Sequence, residues 1–124
     1  MKHLYLSILL TLSFQVLGQS LSEGFIESKT TNLFKLNYVL AQPKDVKSRK
    51  PLLIFLHGSG EKGSDLNKVK NIGPLKFIKD NGPIDAYILA PQCPTNRYWN
   101  SDELYLLIQK IKKKYPIDSN RIYL

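Results

Sequence analysis

The sequence predicts an α/β fold: an antiparallel N-terminal hairpin, then a mainly parallel sheet with crossover helices. Three observations carry that expectation. A short continuous apolar run at residues 52–56 (LLIFL) and a largely apolar segment at 84–90 (IDAYILA) have the character of buried strands. Each is followed by a stretch whose apolar residues recur at helical spacing. Strand and helix therefore alternate, which implies parallel strands joined by crossover helices.

Residues 1–18 come first, with Lys2 near the start, an apolar stretch over residues 4–17 broken only by Ser, Thr and Gln, and then Gly18. This is the pattern of a secretory signal peptide, cleaved after Gly18 to leave Gln19 first. The apolar stretch is shorter than the roughly 20 residues a membrane-spanning helix needs, so no stable membrane span is expected after cleavage; an uncleaved anchor is the alternative. No cysteine lies near the cleavage position, which argues against a lipid-anchored form. The expected location is secreted or periplasmic.

Residues 24–29 and 33–40 are strand candidates separated by Thr30-Thr31-Asn32, a polar turn suited to an antiparallel hairpin. Residues 43–50 are polar and proline-led, a surface loop leading into the strand at 52–56. Leu66, Val69, Ile72, Leu75 and Ile78 fall at intervals of three, but Gly73-Pro74 interrupts them, so two short helical pieces are expected. The strand at 84–90 is expected to end at Pro91, and residues 91–99 form a long loop. Asn100 and Glu103 have capping-box spacing ahead of a helix whose Leu104, Leu107, Ile108 and Ile111 share a face and which Pro116 terminates. Residues 117–120 then turn the chain into a last strand at 121–124.

Composition bounds the function. Of 124 residues, 43% are hydrophobic and 23% charged, a globular balance in which residues 19–124 make at most one domain of the usual ~100–200 residues. Cys93 is the single cysteine, which excludes an internal disulfide and leaves a packed thiol with no partners for a zinc site. The formal charge of +8 raises nucleic acid as a partner, but the cations are mostly scattered lysines. The one run, Lys110 to Lys114, sits at the end of the last helix, where cations suit the dipole. A solvated face accounts for it, and no nucleic-acid partner is expected.

The chemistry concentrates in His57-Gly58-Ser59-Gly60-Glu61, where an apolar strand runs into a glycine-rich loop. A loop at the C-terminal end of a parallel strand faces the crevice where open α/β sheets bind ligands. Flexible backbone there can turn N–H donors toward a developing negative oxygen, and Ser59 and Gly60 are the best donor candidates. Gly58-x-Gly60-x-x-Gly63 also fits a dinucleotide fingerprint, but that motif needs an acid at the end of the next strand, and Asp85 lies at its beginning. A phosphate-binding P-loop is excluded because no Gly-Lys-Ser or Gly-Lys-Thr is present. Glu61 either caps the loop backbone or meets substrate. Trp99 and Tyr98 either line a pocket or pack the long loop onto the sheet. Asp102 and Glu103 suit a helix first turn without any catalytic task.

Three blocks in this order, LLIFLHGSGEKGSD, then YILAPQCP with Trp99 after it, then YPIDSNRIYL, resemble the N-terminal part of secreted α/β-hydrolase-fold serine esterases. The resemblance is to the carboxylesterase, polyhydroxybutyrate-depolymerase-like and prolyl-oligopeptidase-like branch. It covers most of residues 19–124, which it reads as the N-terminal portion of one such domain. It implies that the strands at 52–56, 84–90 and 121–124 are the third, fourth and fifth of the fold. The fifth would lead into a Gly-x-Ser-x-Gly nucleophile elbow. It makes His57 and Gly58 supports of the oxyanion loop, since the triad base follows the nucleophile in chain order. The substrate would be a small-molecule or polymeric ester, cleaved through an acyl-enzyme with no metal or organic cofactor.

No Gly-x-Ser-x-Gly occurs, and the histidines are His3 and His57 alone, so no triad assembles within these residues. The expectation is therefore a serine esterase whose nucleophile, acid and base lie beyond Leu124, with this chain inactive by itself and its fifth strand an exposed, adhesive edge. A serine peptidase of the same fold, a non-catalytic secreted binding module and, least favoured, the dinucleotide-binding domain are the alternatives.

Overall fold

A computed structural model describes residues 18–28 and 34–124. The expected leader, apart from Gly18, and the turn Thr30-Thr31-Asn32 lie outside the described residues.

The chain runs β1 (Ser20–Glu27), β2 (Lys35–Gln42), β3 (Lys50–Ile54), one 3-10 turn (Ser59–Glu61), α1 (Leu66–Lys70), α2 (Gly73–Asn81), β4 (Tyr87–Gln92), α3 (Ser101–Lys114) and β5 (Ile117–Tyr123). The strands form a single sheet in the order β1-β2-β4-β3-β5. β1 pairs antiparallel with β2, from Ser20 opposite Gln42 to Glu27 opposite Lys35, and β2 pairs antiparallel with β4. β3 lies parallel to both β4 and β5. The predicted architecture is the one observed, with β1 and β5 at the two edges.

Period-two alternation divides the apolar residues between two cores. Leu36, Tyr38 and Leu40 of β2, Leu52 and Ile54 of β3, and Tyr87 and Leu89 of β4 face the side covered by Leu107 and Ile111 of α3. Val39, Ala41, Ile88 and Ala90 face the other side, against Val69 of α1 and Leu75 and Ile78 of α2. Helices therefore cover both faces, which is why residues 38–41 of β2 and 87–90 of β4 are unbroken apolar runs.

The interruption at Gly73-Pro74 separates α1 from α2 as the sequence predicts. Ile72 is extended as the N-cap, Gly73 adopts φ +53°, and Pro74 sits in the first turn, where its missing N–H costs nothing. A Cβ on Gly73 would lie 2.5 Å from Cζ of Phe55, so both the backbone and the ring beneath require glycine.

The bounds of all five strands differ from expectation. β3 spans Lys50–Ile54 and not 52–56, because Lys50 pairs with Ile117 of β5 and the pairing to β4 ends at Ile54 opposite Leu89. β1 and β2 begin and end at other residues than predicted, at Ser20–Glu27 and Lys35–Gln42. β4 starts later than predicted and runs on through Pro91 and Gln92, opposite Tyr38 and Asn37. Beyond Leu89 its described pairing is with β2 alone, so a residue lacking an N–H is tolerated as it would be on an edge. β5 starts at Ile117, because the expected turn is an irregularity inside the strand. β3 advances from Lys50 to Leu52 while β5 advances from Ile117 to Ile122. Asp118 supports the detour, accepting from the Asn120 N–H at 3.0 Å and from Arg121 Nε at 2.7 Å.

The Asn100 side chain caps α3, accepting from the N–H groups of Asp102 and Glu103 at 3.0 and 3.1 Å. Glu103 turns instead to Arg97, so the predicted capping box is realised on its Asn100 side. Among the described residues no helix is long and apolar enough to cross a membrane.

Candidate active site

β3 ends at Ile54, and the Phe55 N–H still reaches Leu89 O at 2.9 Å, so the following loop leaves from the middle of the sheet. Its first polar residue, His57, is only 4% exposed. Its Nε2 accepts from the Cys93 N–H at 2.9 Å. With Nε2 an acceptor, the ring proton sits on Nδ1 and is donated to Gly58 O, with a Glu61 carboxylate oxygen 3.9 Å away. The Trp99 indole N–H donates to His57 O at 3.3 Å, and the two rings lie 4.9 Å apart at 60°. His57 is thus bound on both ring nitrogens and at its carbonyl, and it holds the loop after β3 to the loop after β4.

Gly58 is extended and Ser59–Glu61 form one 3-10 turn. The leading N–H groups of such a turn have no acceptor within it. These belong to Ser59 and Gly60, both on exposed residues. A Cβ built on Gly60 meets nothing within 4 Å, so the space over that backbone is open.

Gln92 is the polar end of the otherwise apolar β4 and is 1% exposed. Its Nε2 donates to Glu61 O and to Asp65 O, each at 2.8 Å, gripping the glycine loop at two points. Gly63, at φ +136°, gives its N–H to Cys93 O at 2.9 Å. Lys62 Nζ donates to Arg97 O at 2.7 Å, and Arg97 in turn pairs with Glu103 at the start of α3. Cys93 is the packed thiol expected from sequence, with Sγ 3.4 Å from Arg97 O. Burial pushes that thiol up from its usual pKa, against the partial offset of Lys62 and Arg97, which keeps it protonated and poorly nucleophilic.

The structure therefore brings His57, Gly58, Ser59, Gly60, Glu61 and Trp99 together at the C-terminal ends of β3 and β4. Sequence reasoning missed Gln92, whose signal was a lone amide closing a buried apolar run. Asp85, which a dinucleotide site would need beside the glycines, lies before β4 and bonds Lys50 at 2.8 Å.

No family model matches the chain, and no curated protein matches it. Among solved structures it is similar to a thermostable esterase, with 27% identity over 83% of this chain and a TM-score of 0.62. It shares its fold with a CE1 ferulic acid esterase from the anaerobic fungus Anaeromyces mucronatus, at 14% identity over 90% of this chain and a TM-score of 0.55. An esterase from the fungus Rhizomucor miehei gives 16% identity over 88% and a TM-score of 0.55. The chain spans 32%, 50% and 35% of those three chains, respectively. The architecture is thus the α/β-hydrolase fold of these esterases, shared over most of this chain.

Proposed function

We propose that this chain supplies the oxyanion-loop part of a secreted serine hydrolase acting on carboxylic esters. One observation carries the reading: the loop after β3 is tied down by His57, Gln92, Gly63 and Lys62, yet Ser59 and Gly60 are exposed and the space over the Gly60 backbone is open. Oxyanion stabilisation needs this combination, because donors fixed in advance pay no reorganisation when charge develops. The esterase likeness of the fold supports it.

In this reading Ser59 and Gly60 donate their N–H groups to the tetrahedral intermediate. His57 and Gly58 shape the turn, and Glu61 and Trp99 border the substrate. A serine beyond Leu124 attacks the ester carbonyl, an acyl-enzyme forms as the alcohol leaves, and water releases the acid. The substrate is a small or polymeric ester, and no metal or organic cofactor enters. The chain is exported by its N-terminal leader, and residues 1–124 alone turn over no ester.

The test is to express the gene read through past codon 124 and treat the product with a fluorophosphonate probe and p-nitrophenyl acetate. A labelled serine in a Gly-x-Ser-x-Gly segment and hydrolysis of the ester are expected. Gly60→Pro in that product should lower kcat by about 10²- to 10³-fold, the usual cost of one oxyanion donor. A stop with no serine elbow, or no labelling of the longer product, overturns the reading and favours a binding module. Export is checked by N-terminal sequencing of the secreted or periplasmic protein, which should begin at Gln19.

A further inference from the structure

Gln19 stands just before β1, an edge strand whose described pairing is with β2 alone, and it is 9% exposed. Its side chain reaches past β2 to the segment that enters β4. Nε2 donates to Ala86 O at 2.7 Å, and Oε1 accepts from the Ile84 N–H at 3.2 Å. Both amide atoms are therefore engaged by backbone groups 67 and 65 residues away in the chain. A buried amide paired at both ends is costly to withdraw. Gly18, immediately before it, is exposed. When the leader is removed after Gly18, Gln19 becomes the first residue, and a free α-amino group then shares that residue with a primary amide. In an unfolded chain such a pair reacts with itself. The α-nitrogen attacks Cδ, the Nα–Cδ bond forms, the Cδ–Nε2 bond breaks, and the proton lost from the α-nitrogen leaves with Nε2 as ammonia. The product is a five-membered lactam, and no co-reactant is needed.

We propose that Gln19 is an N-terminal latch whose amide the fold shields from cyclisation, so that the processed chain keeps an open glutamine with a free α-amino group. The inference rests on cleavage after Gly18, part of the reading above, and adds the chemical fate of the new terminus. Cyclisation requires the side chain to curl back onto its own nitrogen, whereas the fold commits both of its polar atoms to Ile84 and Ala86. Folding and cyclisation thus compete for one amide. A chain that folds first ties the start of β1 to the approach to β4, two strands across the sheet. A chain that cyclises first has lost Nε2 and with it the bond to Ala86 O, so the lactam is the form that leaves the edge strand less firmly held.

The test takes the product read through past codon 124, released from a fusion so that Gln19 is first, and follows loss of ammonia by intact-mass spectrometry in native buffer and in urea. A peptide of residues 19–27 in both solvents corrects for any effect of urea on the reaction itself. After that correction, cyclisation should be roughly 10- to 30-fold slower in the folded chain, the protection that two net hydrogen bonds supply. Equal rates overturn the latch. Gln19→Met keeps the length but makes neither bond, and should lower the melting temperature by about 2–4 °C. An unchanged melt overturns the tie between β1 and β4. A product that retains Gly18 cannot cyclise, and in it the Gln19 side-chain amide protons should exchange slowly by NMR, with exchange at the rate of a free amide counting against the latch. An exported protein that begins at another residue refutes the cleavage position alone, and the comparison on the released chain still decides the latch.

Discussion

The two ends of the parallel strands are built from different materials. At the C-terminal ends of β3 and β4, buried neutral groups do most of the cross-tying, His57 to Cys93, Gln92 to Glu61 and Asp65, Gly63 to Cys93, with Lys62 on Arg97 O and Arg97 on Glu103 beside them. At the opposite end, ion pairs do the joining, with Lys50 on Asp85 and Asp45 and Arg121 on Asp118. Buried hydrogen bonds are modest when made and costly when one partner is lost, whereas exposed ion pairs contribute little either way. One end is thus held by bonds that are costly to lose and the other by charge pairs that cost little. Rigidity here is a property of a region, concentrated around the glycine loop.

The sharpest way to break this contrast is Gln92→Leu. It fills the same space but orphans the carbonyls of Glu61 and Asp65, at an expected cost of about 3 kcal/mol in urea unfolding. The amides of residues 58–65 should lose hydrogen-exchange protection ahead of the rest of the sheet. Trp99→Phe comes next, keeping the ring on His57 but removing one N–H···O bond. It should cost about 1 kcal/mol by the same measurement.

The smallest effect belongs to the ion-pair end and shows mainly as pH dependence. Arg121, and then the Asn120 N–H, hold the Asp118 carboxyl below the usual carboxylate range. Its stabilising contribution is therefore complete above its unfolded pKa and is lost as pH falls through the lower folded one. Lys50 is shifted the other way, raised chiefly by its hydrogen bond to Asp85. Its contribution is complete below the unfolded lysine pKa and is lost as pH rises through the higher folded one. Between those limits the melting temperature should be flat with respect to both groups. Asp118→Asn should remove part of the acid slope and leave the neutral-pH melt nearly unchanged. A large neutral-pH loss would refute the contrast.

What sequence could and could not reveal follows the same division. Local patterns were legible: the apolar runs of β3 and β4, the helical spacing from Leu66 to Ile78, and the break at Gly73-Pro74 all depend on residues near one another. The glycine loop was legible as a candidate because its composition is unusual at the end of a strand. The passage of β4 through Pro91 was not, since it depends on which neighbour β4 has lost by that point. The start of β5 at Ile117 was obscured by Asp118 and Asn120, whose turn chemistry is present but folded into the strand. The Gln92 clamp joins groups 27 and 31 residues apart, and the His57 acceptor meets a donor 36 residues away. No local period encodes such partners. Tyr98 and Trp99 looked interchangeable in sequence, yet Trp99 packs on His57 and Tyr98 is 85% exposed.

The strand order has a consequence in time. β1 and β2 are neighbours in both sequence and space, so their hairpin can close as soon as both exist. β3 pairs with β4 and β5, both of which follow it in the chain. As the polypeptide emerges, the LLIFL run has no edge to join until two helices and another strand have been made, and such delayed, non-local pairing is slow and prone to misassociation. Of the five strands, β3 waits longest for its first partner, so a pause in synthesis just after residue 65 would leave the most adhesive segment of the chain uncovered.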